Sequence, residues 1–459
     1  MFINKSDSGM WVVMKPCRKY GLFTAIAMVT GSVIGSGVFF KAEAVAGITA
    51  GNIRYGTAAW ILGGMSMILC LLSFAIIYSF VNENADLTVI AEKTAGRKYA
   101  YFSGWFMATV YYPALACVLS WLCASYTLQA IGAEDPGGGL CMVIAGVFLV
   151  VSFAQNALFP NAAGKVQVVT TVLKLIPLVL MIVLGIIKGF SNGTFEGNLL
   201  SESSPTNPGK TLFKSVSAVM FAYEGWIAAL CIGPELKNRE RNLPKALVLG
   251  GSVVLAVYIL YYVGILGAVS TGILLNYGRD GVKMAFSNIV GEKISGLLLC
   301  FVAISCFGAL NGMMFSLGRA MYSLGSREQG PAPSLFSEIN RTSETPIASF
   351  SAGLVFAFLW LFFLFGNSLA DPALFGKFGF DISEVPVVTV YAMYITIFVF
   401  ALKKWGKDLN KVKTAVIILG IASCIFTAGS AFVAHIEDIW DYIFVFTAIM
   451  LAGAVFYKK

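Results

Sequence analysis

Residues 31–37 read Gly-Ser-Val-Ile-Gly-Ser-Gly, and they interrupt an apolar run that begins near Leu22 and ends near Gly47. Three glycines in seven residues oppose a continuous helix, because each costs about 1 kcal/mol relative to alanine. The apolar pieces on either side are each too short to cross a bilayer core of roughly 30 Å, which takes about 20 residues. A second interruption, Phe221-Ala222-Tyr223-Glu224-Gly225-Trp226, places a glutamate beside a glycine in the middle of another apolar run. Gly31 and Gly35 have the small-xxx-small spacing of close helix packing, and a lone patch of this kind needs no other reading. A second break in a corresponding helix, holding an acid, instead predicts two discontinuous helices that build a binding site at mid-membrane.

The rest of the chain supports a membrane reading. Of its 459 residues, 58% are hydrophobic and 12% charged, against roughly 45–50% and 25% in soluble domains. Apolar runs of about 20 residues recur throughout and lack the alternation of a membrane β-barrel. An all-α membrane protein with twelve transmembrane helices is therefore expected. The spans are Tyr20–Gly47, Thr57–Val81, Tyr99–Ile131, Gly139–Leu158, Val166–Lys188, Leu212–Glu235, Ala246–Val269, Ile294–Leu324, Ile347–Phe365, Val385–Ala401, Val412–Val433 and Ile439–Phe456. The chain reads as one transporter domain, 1–459. Two inverted five-helix repeats, 20–188 and 212–401, each open with a broken helix, and two extra helices follow over 412–456. The first apolar run lacks an Ala-x-Ala-like site, so no cleavable signal peptide is expected.

The net charge of +8 does not point to nucleic acid, because the basic residues are distributed by topology. Of 32 Lys and Arg, 22 fall on the side that holds both termini, nine on the opposite side, and Lys174 on neither. The positive-inside rule then places both termini in the cytoplasm of a cell (plasma or inner) membrane protein. The nine cysteines are scattered, mostly within apolar runs, and His435 is the only histidine. Metal, haem and disulfide chemistry are accordingly not expected, and no cofactor is. No nucleophile–base pair or metal set appears either, so an enzyme is not expected.

The breaks themselves specify a ligand chemistry. Backbone N–H groups of Gly35, Ser36 and Gly37, at the positive end of a helix dipole, suit a carboxylate. Carbonyls freed at Val33 and around Phe221 to Glu224 suit an ammonium. Donors and acceptors separated in this way match the two ends of an α-amino acid. The predicted site is Val33, Ile34, Gly35, Ser36, Gly37, Phe221, Ala222, Tyr223 and Glu224, with Phe221 as a lid. Tyr223 and Trp226 otherwise read as packing residues, and Asn311 as a helix-packing hydrogen bond. Lys174 lies roughly 13 Å and 21 Å of helix from the nearest flanking lysines, at 1.5 Å per residue, so it cannot snorkel. It is expected to face inward and meet a carbonyl or an acid, as a fixed cation, a titrating site or a structural bond. Glu224 is open to three roles: a partner for Lys174, a contact for a substrate cation, or a protonated structural group. The mixed charges of Glu235-Leu-Lys-Asn-Arg-Glu-Arg-Asn-Leu-Pro244 read as a salt-bridged cytoplasmic gate or a solvated turn.

These stretches resemble the amino acid–polyamine–organocation superfamily, and most of all its L-type amino acid transporter branch. Gly31-Ser-Val-Ile-Gly-Ser-Gly-Val38 looks like the first-helix motif. Phe221-Ala-Tyr-Glu-Gly-Trp226, with Glu235-Leu-Lys-Asn and Arg241-Asn-Leu-Pro244, looks like the sixth-helix motif and its loop. Phe307-Gly-Ala-Leu-Asn-Gly312, with Arg319 and Gly325-Ser-Arg-Glu328, looks like the eighth helix and its exit. The resemblance implies alternating access. It also implies carboxylate capture by the N–H groups of Ser36 and Gly37, and amine capture by carbonyls of Val33, Phe221 and Glu224. Lys174 matches a helix-5 lysine that stands where sodium-coupled members hold the ion, so sodium independence is implied. Glu224 departs from the small residue frequent there in L-type members, which leaves room for cationic or small polar substrates. No outer-loop cysteine between spans 3 and 4 would bridge to an accessory heavy chain, and none is expected. The function so read is a sodium-independent amino acid permease, working as an exchanger or a proton symporter. An amino-acid-binding membrane sensor without net transport is the alternative.

Overall fold

The structure, a computed structural model, describes residues 3–5, 11–13, 21–81, 87–133, 138–200, 205, 207–227, 236–277, 280–369 and 374–458. Helices dominate. The exception is a small antiparallel pair near the N-terminus, Ile3–Lys5 against Trp11–Val13 with Ile3 opposite Val13, in a tail where no strand was expected. Ile3 on the first strand and Trp11, Val12 and Val13 on the second are β-branched residues or tryptophan, which suit pleated backbone.

The main helices are α1 (Leu22–Val33), α2 (Gly37–Ile48), α3 (Ile53–Val81), α4 (Arg97–Ala130), α5 (Gly139–Leu158), α6 (Ala162–Ser191), α7 (Pro208–Ala222), α8 (Arg239–Ala268), α9 (Glu292–Gly325), α10 (Ile347–Leu364), α11 (Val385–Trp405), α12 (Lys411–Ala434) and α13 (Ile439–Val455). Among the described residues, nine helices are long and apolar enough to cross a membrane, or ten if α1 and α2 are one bent span. The expected twelve included two further spans, the sixth and the twelfth. The sixth is represented by α7, which stops at its break, and the twelfth by α13, which at 17 residues is short for a crossing. The sixth span's continuation, Glu235 included, lies outside the described residues.

Packing sorts the helices into two groups. α1, α2, α3, α7 and α8 lie against one another, while α4 packs on α5, α9 and α10. α12 lies against α3, α7 and α11. α4 is the most enclosed span: nearly every residue from Ala114 to Ala124 is buried. Its middle contains a π-helical turn, Met107–Tyr111, just ahead of Pro113. Proline lacks an N–H and disturbs the preceding turn, so a backbone carbonyl there is left over. The indole of Trp360 on α10 donates to the Thr109 carbonyl at 2.9 Å. In lipid such a rescue is obligatory, because no water is at hand.

Asn311 on α9 is a helix-packing residue, as the sequence predicts. Its carbonyl accepts from Asn156 of α5 at 2.8 Å, and its amide faces the Ala163 carbonyl at 3.2 Å and Gln167 at 3.3 Å on α6. One side chain thus ties three spans. Hydrogen bonds between membrane helices are worth roughly 0.5–2 kcal/mol, so Asn311→Ala should destabilise the protein by about that much. Thermal unfolding in detergent checks this; a midpoint equal to wild type contradicts it.

Candidate functional site

The first break is where the glycines place it. α1 ends at Val33, Ile34 turns extended (ψ 106°), and α2 begins at Gly37 with its axis bent by 53°. The N–H of Ile34 still reaches the Thr30 carbonyl at 2.9 Å, so α1 closes its own last turn. Ser36 and Gly37 open α2, where first-turn N–H groups have no intrahelical acceptor. Ser36 is 1% exposed, and its hydroxyl has no oxygen or nitrogen partner, with only the Cys306 thiol of α9 beside it. A buried hydroxyl left unpaired beside open N–H groups is what an anion pocket offers.

The second break begins at Tyr223. Gly225 has φ +95°, a left-handed value that a side chain opposes. It also has no room for one: a Cβ there would lie 2.5 Å from the Ser32 carbonyl oxygen. At Gly37 a Cβ would lie 2.6 Å from the Ala222 Cα. The two breaks therefore touch backbone to backbone at two points, and only glycine permits either contact.

Tyr258 of α8 stitches the same junction. Its hydroxyl stands 2.9 Å from the Val33 carbonyl and 3.0 Å from the Ala222 carbonyl. One proton serves two carbonyls with four lone pairs, so both oxygens keep accepting capacity. The carbonyls read as free in the sequence are thus partly engaged. The Phe221 carbonyl likewise receives the Glu224 N–H at 3.3 Å.

Lys174 lies in α6, 6% exposed, and its ammonium donates to the Gly31 carbonyl at 2.7 Å. Gly31 is the last turn of α1, immediately before the break. Its partner is a carbonyl of α1 and not Glu224. A charged donor at a helix C-terminus also favours the dipole, which fixes the direction in which α1 ends.

Glu224 is 8% exposed. Its Oε2 accepts from the hydroxyl of Tyr111, the last residue of the π turn, and from the Gly225 N–H at 3.3 Å. Its Oε1 is buried and has no partner. Trp226 donates to the Tyr391 hydroxyl at 3.2 Å, and Tyr223 to the Trp60 carbonyl at 2.8 Å, so both side chains pack as expected. On the far side of the junction the Phe221 ring is 6% exposed and meets Phe40 edge-on at 6.2 Å.

Two participants escape sequence reasoning. Tyr111 and Tyr258 are tyrosines inside apolar runs, indistinguishable there from packing aromatics. For Tyr111 a faint signal exists, since Pro113 two residues later forecasts an irregular turn. Among the described residues no group of His, Cys, Asp and Glu could hold a metal ion.

Comparison with known proteins follows from this geometry. The family model described as "Amino acid permease" matches residues 20–455. The serine/threonine exchanger SteT of Bacillus subtilis is 27% identical over 423 residues, 91% of each chain. The b(0,+)-type amino acid transporter 1 of Mus musculus is 26% identical, covering 96% of this chain and 87% of its own. The human cystine/glutamate transporter is 26% identical over 72% of this chain and 65% of its own. In fold, the chain resembles the crystal structure of MhsT in complex with L-phenylalanine, with a TM-score of 0.57, 17% identity, and 89% and 98% of the two chains covered. The relatives are transporters, and the two glycine-bordered breaks sit within a match that spans nearly the whole sequence: the chain belongs to the amino acid permease family.

Proposed function

We propose that this permease carries α-amino acids across the membrane by alternating access, without sodium, as an exchanger or a proton-coupled symporter. The observation that carries this reading is the contact of the two breaks. It brings Ser36 and Gly37, whose N–H groups open α2, beside Ala222, where the Tyr258 hydroxyl gathers the Val33 and Ala222 carbonyls. A zwitterion satisfies both sides at once. Val33 to Gly37 and Phe221 to Glu224 form the site, and the Phe221 ring covers it. Helices 1–5 and 6–10 form inverted repeats, twelve spans in all, with both termini in the cytoplasm. No accessory chain is needed.

Sodium independence rests on Lys174. Its ammonium occupies the Gly31 carbonyl, a cation already fixed where the first helix ends. A bound sodium ion would meet that charge at close range and be repelled.

Side-chain preference rests on Glu224. The free Oε1 favours a substrate that brings a donor to it, whether its ammonium or a polar side chain. SteT exchanges serine and threonine, and small hydroxyl amino acids fit this preference.

Three outcomes are expected in proteoliposomes. Gly37→Val, which drives a branched side chain into the Ala222 backbone, should abolish amino acid binding; a folded Gly37→Val protein with wild-type affinity would move the pocket elsewhere. Uptake should not change when sodium replaces potassium; sodium stimulation that survives in Lys174→Ala would sink the sodium-independent reading. Glu224→Gln keeps the shape but removes the charge and should weaken uptake about tenfold or more, since hydrogen bonds to charged groups contribute roughly 1.5–3 kcal/mol. Equal uptake by the variant would exclude a direct role.

A further inference from the structure

Away from the breaks, a second buried charge cluster spans four helices. The Lys41 ammonium of α2 lies 2.7 Å from Glu384 Oε1 and 3.0 Å from the Ser383 hydroxyl, just ahead of α11. Glu384 Oε2 accepts from the Ser217 hydroxyl of α7 at 2.8 Å and lies 3.0 Å from His435 Nε2, immediately after α12. Asp381 braces the turn: its Oδ1 accepts from the Ser383 hydroxyl and N–H, both at 2.6 Å, and from the Glu384 N–H at 3.0 Å. Lys41 is 2% exposed and Glu384 7%, so neither charge is solvated from outside.

The placement of the cluster matters more than its strength. α2 and α7 are the half-helices that leave the two breaks on the same side, and α11 and α12 are their neighbours. Lys41 Nζ also sits 5.0 Å from the Phe40 ring centre and 5.5 Å from that of Phe221, the ring that covers the site. Ion pair and lid are therefore one assembly. Separating α2 and α7 from α11 and α12 would strand a carboxylate and an ammonium that are now buried together, and it would free the Lys41 ammonium that packs on the Phe221 ring. Removing one partner of such a pair is strongly destabilising.

We propose that Lys41, Glu384 and His435 form a latch that holds the outer mouth closed, and that a proton on His435 taken from the outer solution strengthens it. This rests on the orientation proposed above, which puts residues 435–438 and 381–384 outside. The charged groups acting on His435 are Glu384 and Asp381 beside α11 and Lys41 of α2; α7 contributes the neutral hydroxyl of Ser217, and Glu437 and Asp438 follow His435 on its own segment. Burial works against the imidazolium, and Lys41 opposes it too, yet the bond to Glu384 and the two carboxylates prevail and raise the His435 pKa above its ordinary value. A raised pKa fixes the sign. The proton's contribution to the closed mouth is complete below the ordinary histidine value of about 6.5 and is lost as pH climbs through the raised one. Acid outside closes the latch, and neutral to alkaline solution loosens it.

Hydrogen–deuterium exchange of the intact, purified permease, corrected for intrinsic pH dependence, reads the latch directly on residues 37–48 and 208–222. In wild type the corrected exchange of both segments should rise several-fold between pH 5.5 and pH 8. His435→Gln should flatten this rise, and Lys41→Gln and Glu384→Gln should exchange fast at both pH values. Lys41→Arg should restore protection, which a merely misfolded variant would not permit. A wild-type pH response in His435→Gln, or protection unchanged in both Lys41→Gln and Glu384→Gln, overturns the proposal. The readout needs no substrate. Failure of amino acid transport would therefore refute the function and leave the latch standing, while slow exchange in the variants would refute the latch alone.

Discussion

Everything else in this structure depends on two pieces of main chain meeting without side chains between them. In a bilayer an unwound segment must find partners for its N–H and C=O groups inside the protein. Here the two unwound segments face each other, with Gly37 against Ala222 and Gly225 against Ser32. Neither contact tolerates a Cβ. The meeting leaves few polar groups orphaned, because Tyr258 serves two carbonyls and Lys174 a third. At the breaks, the side-chain atoms left unpaired are the Thr30 and Ser36 hydroxyls and one oxygen of Glu224, and the first-turn N–H groups at Ser36 and Gly37 have no acceptor within their own helix. On the function proposed above, a ligand that completes the set carries an anion and a cation a short distance apart.

The supporting helices hold this junction from three directions. α6 reaches it with a charged donor, α8 with a tyrosine hydroxyl, and α4 with Tyr111 at the end of a π turn. Each anchor sits on a helix whose own geometry is fixed elsewhere, as the Thr109 carbonyl is by Trp360. This arrangement places rigid support behind flexible backbone.

Much of this was legible in the sequence, and for definable reasons. Glycine density marks a break because the cost is intrinsic to the residue, so residues 31–37 announced themselves. An isolated lysine far from both span ends must be bonded inside, so Lys174 announced itself too, though not that its partner would be the Gly31 carbonyl. Asn311 was read correctly because a lone amide in an apolar helix has few other uses. Tertiary pairing was not legible. Beyond the irregular turn that Pro113 forecasts near Tyr111, nothing in the runs around Tyr111 or Tyr258 separates a hydroxyl that bonds at the breaks from one that merely packs. Lys41 entered only as one of nine outer charges, although it is among the most buried groups in the molecule. Its partners lie more than 340 residues away, beyond any local pattern. The count of twelve spans also exceeds the nine or ten apolar helices among the described residues, since α7 is cut by its own break and α13 has only 17 residues.

The central claim is that the junction recognises both ends of a zwitterion through backbone groups. Competition in a counterflow assay tests it most directly. Vesicles preloaded with unlabelled amino acids take up a labelled one in the presence of the same amino acid, its decarboxylated amine, or its deaminated acid. The account predicts that the intact amino acid competes and that neither truncated compound does at comparable concentration. Competition by the amine or the acid alone, as strong as by the amino acid, would contradict it.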